Sequence, residues 1–333
     1  MLINHPGTWQ QFQFRPDNKG LNVMEMKSKY LHEQYLFENE LFNLQQQHQN
    51  WLNGSSGGTT STSPSYTTEL RLSFNNDLQT IEDDFGFDPR DVSNWNNKFV
   101  NGGFETLTIN NSNLSAPIIT LKGNDTNIGI DGDVFQEKIT LLSLIDLHDN
   151  CINEIGANCF ENNSIIQNVI LNNVTIIGVA AFGGCTDLTS VRFGTLTTIP
   201  NAITDNTGVF NNCALDEEDL GIMFPALTTI GNFAFYNVSS LSLSSNTVTS
   251  IGFRAFLLSS LTSINLTNIV NFNQQSFEQS QLNTITLTSN CTFTDNSVFT
   301  SVPSNGDAFV VPADETDPAI DYLKVTLGWS INP

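Results

Sequence analysis

The sequence predicts a mainly β solenoid of about eight to nine short coils with a C-terminal cap, preceded by an N-terminal α-helix and a linker. Three observations carry this reading. Phenylalanine returns at near-constant spacing, at Phe135, Phe160, Phe182, Phe210, Phe235, Phe256, Phe277 and Phe299, in steps of 25, 22, 28, 25, 21, 21 and 22 residues. Five residues before most of these stands an apolar anchor: Ile130, Ile155, Ile177, Ile230, Ile251 and Phe272. Ahead of the anchors, an apolar-x-x-apolar-x-apolar run recurs, as in Leu188-Val191-Phe193 and Leu261-Ile264-Leu266. A unit of this size cannot bury its own apolar face and must stack on its neighbours.

Residues 1–65 read as a separate front end. An irregular arm is followed by a helical pattern over about 22–52, in which Val23, Tyr30, Phe37, Leu44 and Trp51 recur seven apart between Gln- and Glu-rich faces. Residues 53–65 (NGSSGGTTSTSPS) have the composition of a flexible linker. The helix is either a cap on the open end of the solenoid or an anchor, serving self-association or docking on a partner. Residues 66–106 form a transition: Tyr66–Phe74 alternates like a strand, Asp83–Pro89 is a turn-rich acidic stretch, and Val92–Phe99 reads as a short helix that opens the repeats.

Residues 107–307 are the repeats. Each strand run, from Leu142-Ile145-Leu147 to Leu282-Ile285-Leu287, should point its last two apolar positions inward and the residues beside them outward. An Ile-Gly corner follows, where glycine suits a special backbone angle, and then Ala-Phe, with the ring filling the interior. One coil departs from the pattern. Eleven residues, not five, separate Ile199 from Phe210, so residues 201–208 should bulge from one face, beside the acidic run Asp216-Glu217-Glu218-Asp219. Residues 308–333 then form a cap.

These units resemble the BspA-type leucine-rich repeat, with its L-x-x-(I/V)-x-L strand and I-G-x-x-A-F-x-x-C/N corner; Gly183–Val191 (GGCTDLTSV) fits closely. The ending, Ala308-Phe309-Val310-Val311-Pro312-Ala313 and then Gly328-Trp329-Ser330, resembles the close of such arrays. The resemblance covers about residues 107–330. It implies a right-handed leucine-rich-repeat solenoid and a protein that binds without catalysing a reaction. Members of the family occur in bacterial and protist surface proteins and in proteins of viruses and phages.

Charge narrows the partners. Residues 101–333 carry 22 acidic and 5 basic side chains, a surface that repels nucleic-acid phosphates. No stretch is long and apolar enough to span a membrane, and the N-terminus lacks the basic start and apolar core of a secretory signal, so none is expected. Five cysteines, an odd number, argue against a disulfide framework; Cys185 and Cys213, each three residues past a column phenylalanine, should stack as buried thiols. No catalytic motif is present, so the protein is expected not to be an enzyme and to need no cofactor. One loop, Gly123–Asp133, spaces Asp125, Asn127, Asp131 and Asp133 as hard oxygen donors of the kind that suit calcium, but Ile130 stands where an EF-hand needs glycine, so a solvated turn between coils is the favoured reading and no metal is expected.

The expected function is a structural or binding component of a virus or phage particle. Residues 1–65 would dock on other proteins of the assembly, and the repeats would meet a host-surface protein or glycan. The outward strand positions Arg192, Ser242, Ser244, Asn265, Thr267, Thr286 and Thr288 are the candidate binding residues. The alternatives are a cellular adhesion protein, at the cell surface by another export route or in the cytoplasm, and a polysaccharide-acting enzyme on a solenoid scaffold.

Overall fold

In the computed structural model the described residues are 66–332, less 111–115, 148–150, 216–219, 240–241, 246, 289–291 and 312–320. The helical pattern over 22–52, with Val23, Tyr30, Phe37, Leu44 and Trp51, lies outside them.

The chain builds a solenoid with two strand stations per coil. The first strand, β1 (Thr68–Phe74), buries every second residue. Two short helices follow, α1 (Leu78–Phe85) and α2 (Val92–Asn96), so the stretch expected to be a turn at 83–85 completes a helix, which Gly86 ends at φ 72°. Asp77 and Asp91 cap these helices by accepting from the amides of Thr80 and Ser93. After β2 (Phe99–Val100) come β3 (Phe104–Asn110), β4 (Ile118–Gly123) and β5 (Ile128–Ile130). The regular coils then alternate a main strand with a corner strand: β6 (Leu141–Asp146) with β7 (Ile152–Ile155), β8 (Asn168–Ile170) with β9 (Ile176–Ile177), and β10 (Ser190–Arg192) with a single bridge at Thr198. The irregular coil carries α3 (Leu220–Met223) and β11 (Thr229–Ile230). Beyond it lie β12 (Leu243–Ser245) with β13 (Ser250–Ile251), β14 (Ser263–Leu266) with β15 (Asn271–Phe272), β16 (Thr284–Thr288) with β17 (Thr292–Phe293), and the closing strands β18 (Asp307–Val311) and β19 (Ser330–Asn332).

The main strands form two sheets, in the orders β10-β8-β6-β1-β4-β3 and β12-β14-β16-β18-β19; the corner strands form β2-β5-β7-β9 and β11-β13-β15-β17. Coil-to-coil pairing is parallel, whereas β1, β3 and β4 pair antiparallel and start the first sheet.

The eight column phenylalanines stack face to face. Successive centroids lie 5.0, 4.8, 5.4, 5.3, 5.3, 5.4 and 5.8 Å apart, with the planes within 11° of parallel. The backbone enforces the stack: the amide of each phenylalanine donates to the residue before the next one, as in Phe160 N to Ala181 O and Phe235 N to Ala255 O, both 2.8 Å. Parallel strands fix the coil rise near 4.8 Å, which is within the range of favourable ring contact. At the N-terminal end Phe85 and Phe99 meet Phe135 edge-on, backed by Phe74, Phe87, Trp95 and Phe104. At the other end Trp329 lies on Gly306, where a Cβ would come within 2.5 Å of its ring, and its Nε1 donates to Pro303 O.

Two expectations are corrected. In β6 the inward residues are Leu141, Leu144 and Asp146, while Leu142, Ile145 and Leu147 are half-buried on the other side. Asp146 occupies the interior station of Leu171 and accepts from the amides of Cys151 (2.5 Å) and Ile152 (3.3 Å). The corner glycines Gly156, Gly178, Gly231 and Gly252 do not have positive φ. They are required for room: a Cβ on Gly178 would sit 2.3 Å from the backbone nitrogen of Ala157, and one on Gly231 would sit 2.1 Å from Pro200 O.

Candidate functional site

Along the outer strand face, polar residues alternate with core residues. Ile264 and Leu266 are buried, and Asn265 and Thr267 between and beside them are exposed. The registers set Ser244 beside Asn265 and Asn265 beside Thr286, one row across three strands. Much of the chain's threonine serves a different role, on the corners, where Thr195, Thr228, Thr249 and Thr292 donate to backbone carbonyls of the preceding coil.

The face is broken once. In the irregular coil, Leu220, Met223 and Phe224 are buried, and spacing of three and four residues turns that segment helical. The helix α3 therefore stands where a strand would, held by Phe193 N to Met223 O and Leu220 N to Ser242 O, each 3.0 Å. Because a helix is wider than a strand, an open groove of about 470 Å³ forms beside it, lined by Gly221, Ile222, Pro225, Ser244, Ser245, Thr247, Asn265 and Thr267. Ile222 is 56% exposed there.

Of the expected binding residues, Ser244, Asn265 and Thr267 meet at this groove, Ser242 holds the α3 end through its carbonyl, and Thr286 lies one strand further on. Arg192 is on β10, across the break. Thr288 ends β16 beside Val311. The groove residues Gly221, Ile222 and Pro225 were not apparent from the repeat pattern, because that coil breaks it; the Leu220–Met223–Phe224 spacing was the available signal. The expected bulge does form at 201–208. It contains a 3-10 turn over Asp205–Thr207 and places Ile203 92% exposed on it. The acidic run 216–219 lies outside the described residues.

The possible calcium ligands are split by a strand: Asp125 and Asn127 precede β5, and Asp131 and Asp133 follow it. Asp131 accepts from the amide of Gly132 (2.8 Å). Among the described residues, no group of three or more His, Cys, Asp or Glu side chains is arranged to hold a metal. Cys151, Cys159, Cys185 and Cys213 are free and buried, and burial pushes each thiol well above its usual range, which suits packing rather than nucleophilic chemistry. Cys185 and Cys213 each donate from Sγ to the carbonyl of the column phenylalanine one coil before, Phe160 and Phe182, at 3.0 Å. Asn163 does the same to Phe135 O at 3.3 Å. In these three coils the residue three past the ring ties the coil to the one before it.

A model of the BspA-type leucine-rich repeat region, in six copies, matches residues 109–220 and 198–306. The chain belongs to the BspA-type leucine-rich-repeat family. No match was found among curated proteins or solved structures. The family points to a role in protein interaction or adhesion, and its solenoids are typically non-enzymatic. In this BspA-type protein no helix among the described residues is long and apolar enough to cross a membrane.

Proposed function

We propose that residues 66–333 are a binding scaffold that offers its outer strand face to a protein partner, and that residues 1–65 attach the scaffold to a larger assembly, a virus or phage particle. The observation that carries the first part is the groove beside α3. It gathers three outward strand positions, Ser244, Asn265 and Thr267, around the exposed Ile222, a mixture of one apolar contact and several neutral hydrogen-bonding groups that suits a protein surface. The second part is supported by the N-terminal aromatic cluster. Phe85 and Phe99 already cover Phe135, so the stack is closed without calling on residues 1–65.

Deleting residues 1–65 should leave the remainder folded, with an unchanged thermal midpoint, while abolishing its recovery in purified particles. Unfolding on deletion would contradict the attachment role, and recovery of the intact protein from a cell surface would transfer the same scaffold to adhesion. The combined change Ser244→Lys, Asn265→Lys and Thr267→Lys should weaken binding to a co-purifying protein partner at least about tenfold at constant fold. Unchanged binding would remove the groove from the contact.

A further inference from the structure

Residues from 66 onward include eight basic side chains, and four of them are engaged away from the strand face. Arg90 pairs with Glu82 and Asp88, Lys98 lies over Phe87, Lys138 donates to Asp84 O, and Arg254 pairs with Glu278. Three others, Arg71, Lys122 and Arg192, project from the outer side of the first sheet, next to the inward Leu70, Leu121 and Val191. Strand register sets two of them in one row. Arg192 on β10 lies beside Ile170 on β8, Ile170 beside Ile145 on β6, and Ile145 beside Arg71 on β1. Val169 and Leu144 are fully buried, so the adjacent Ile170 and Ile145 face outward, each half-buried. Leu147 extends the apolar centre, and the Lys122–Glu69 ion pair (2.9 Å) borders it.

The row therefore reads cation, aliphatic, aliphatic, cation across four neighbouring strands, on a solenoid that is otherwise strongly acidic. At about 4.8 Å per strand the two arginines stand about 14 Å apart. An apolar centre flanked by guanidinium groups is the composition of an interaction hot spot. It differs in kind from the neutral groove beside α3, which has no charged lining residue. Carboxylates eleven residues apart on an α-helix, about three turns, share one face at a separation of about 16 Å, a span that two long arginine side chains accommodate, and aliphatic residues between them on that face fall over the two isoleucines.

We propose that the row Arg192–Ile170–Ile145–Arg71 docks an acidic amphipathic segment of the partner protein, its carboxylates reaching the two arginines and its aliphatic stripe lying on the two isoleucines. This rests on reading the strand face as the contact surface, and it names the partner's chemistry. Other contacts of the arginines do not preclude it, because a guanidinium presents five donors and serves more than one acceptor.

The test uses the full-length protein and a fluorescein-labelled 18-residue helical peptide with a leucine stripe flanked by glutamates eleven apart on the same face, alongside a counterpart with lysine in place of glutamate. Fluorescence anisotropy should show binding of the glutamate peptide, weakened at least about tenfold on raising salt from about 0.02 M to 0.5 M. Arg71→Gln with Arg192→Gln, and separately Ile170→Ser, should each weaken it by a similar factor. Arg192→Glu alone, which keeps the rest of the row, should shift preference toward the lysine peptide, and circular dichroism should report an unchanged fold. Absence of binding, equal binding of both peptides, or affinity indifferent to these changes would overturn the inference. Loss of binding on Ile222→Ser, with the row variants unaffected, would also overturn it while leaving the strand face as the contact surface.

Discussion

Two residues past every column phenylalanine the backbone turns left-handed: Glu137, Asn162, Gly184, Asn212, Asn237, Leu258, Gln279 and Ser301 all have φ between 52° and 75°. Asparagine and glycine tolerate this conformation, and Asn237 Nδ2 donates to Asn212 Oδ1 at 2.7 Å, linking successive coils. Leu258, at φ 59° and 41% exposed, has neither advantage. Leu258→Asn should therefore stabilise the protein by about 0.5–1 kcal/mol, read as a higher denaturant midpoint at constant slope. A lower midpoint would mean that its packing outweighs the strain. Gly178→Ala should act oppositely. With no space for a Cβ beside Ala157, it should cost about 1–3 kcal/mol or more through displacement of neighbouring coils. The Ile-Gly corner was visible in the sequence, but its reason was not, because a close approach between backbones 21 residues apart leaves no local mark. The buried place of Asp146 was hidden in the same way: Leu141-Leu142-Ser143-Leu144-Ile145-Asp146-Leu147 supports two apolar alternations, and hydropathy favours the one that keeps the carboxylate outside.

Among the elements, the strands from β8 onward follow their apolar pattern, since each pairs in parallel with a neighbour that buries the same columns. The antiparallel start of the first sheet does not follow from that pattern. The strand at 68–74 was legible from its alternation, but its place between β4 and β6 depends on partners about 50 to 70 residues away. The groove was illegible for a related reason, since it arises where a coil loses the repeat and a helix substitutes for a strand. The helices α1 and α2, which support the aromatic cover over Phe135, carry a pH signature. Hydrogen bonds from the backbone of Thr80 and from the hydroxyl of Ser93 hold the carboxyls of Asp77 and Asp91, respectively, below the usual aspartate range. A depressed folded-state pKa contributes stability that is fully present above the unfolded value near pH 3.9 and is lost as pH falls through the lower folded value. Hydrogen-exchange protection factors of residues 78–96, referred to the intrinsic rate at each pH, should therefore fall below about pH 4, and Asp77→Asn with Asp91→Asn should remove that acid step. An unchanged acid profile in the double variant would show that the caps do not set it.

For the molecule as a whole, the central claim is that the coils share one continuous interior, with the alternate strand positions turned to the outer face. Each column ring between the first and the last is covered on both sides by the rings of adjacent coils, so no interior coil has a core of its own. The architecture was legible from the period alone, because stacking demands that the same residue type recur at the same station. The proposed docking row was less so: Arg192 could be placed outward from the sequence, but its alignment with Ile170, Ile145 and Arg71 required strand registers from four separate segments. The most direct measurement is hydrogen exchange by mass spectrometry on Phe210→Ala, a change expected to cost about 3–5 kcal/mol. A shared interior predicts that protection falls most in the coils of Phe182 and Phe235 on either side and recovers toward Phe135 and Phe299. Loss confined to the coil of Phe210, with both neighbours fully protected, would contradict it.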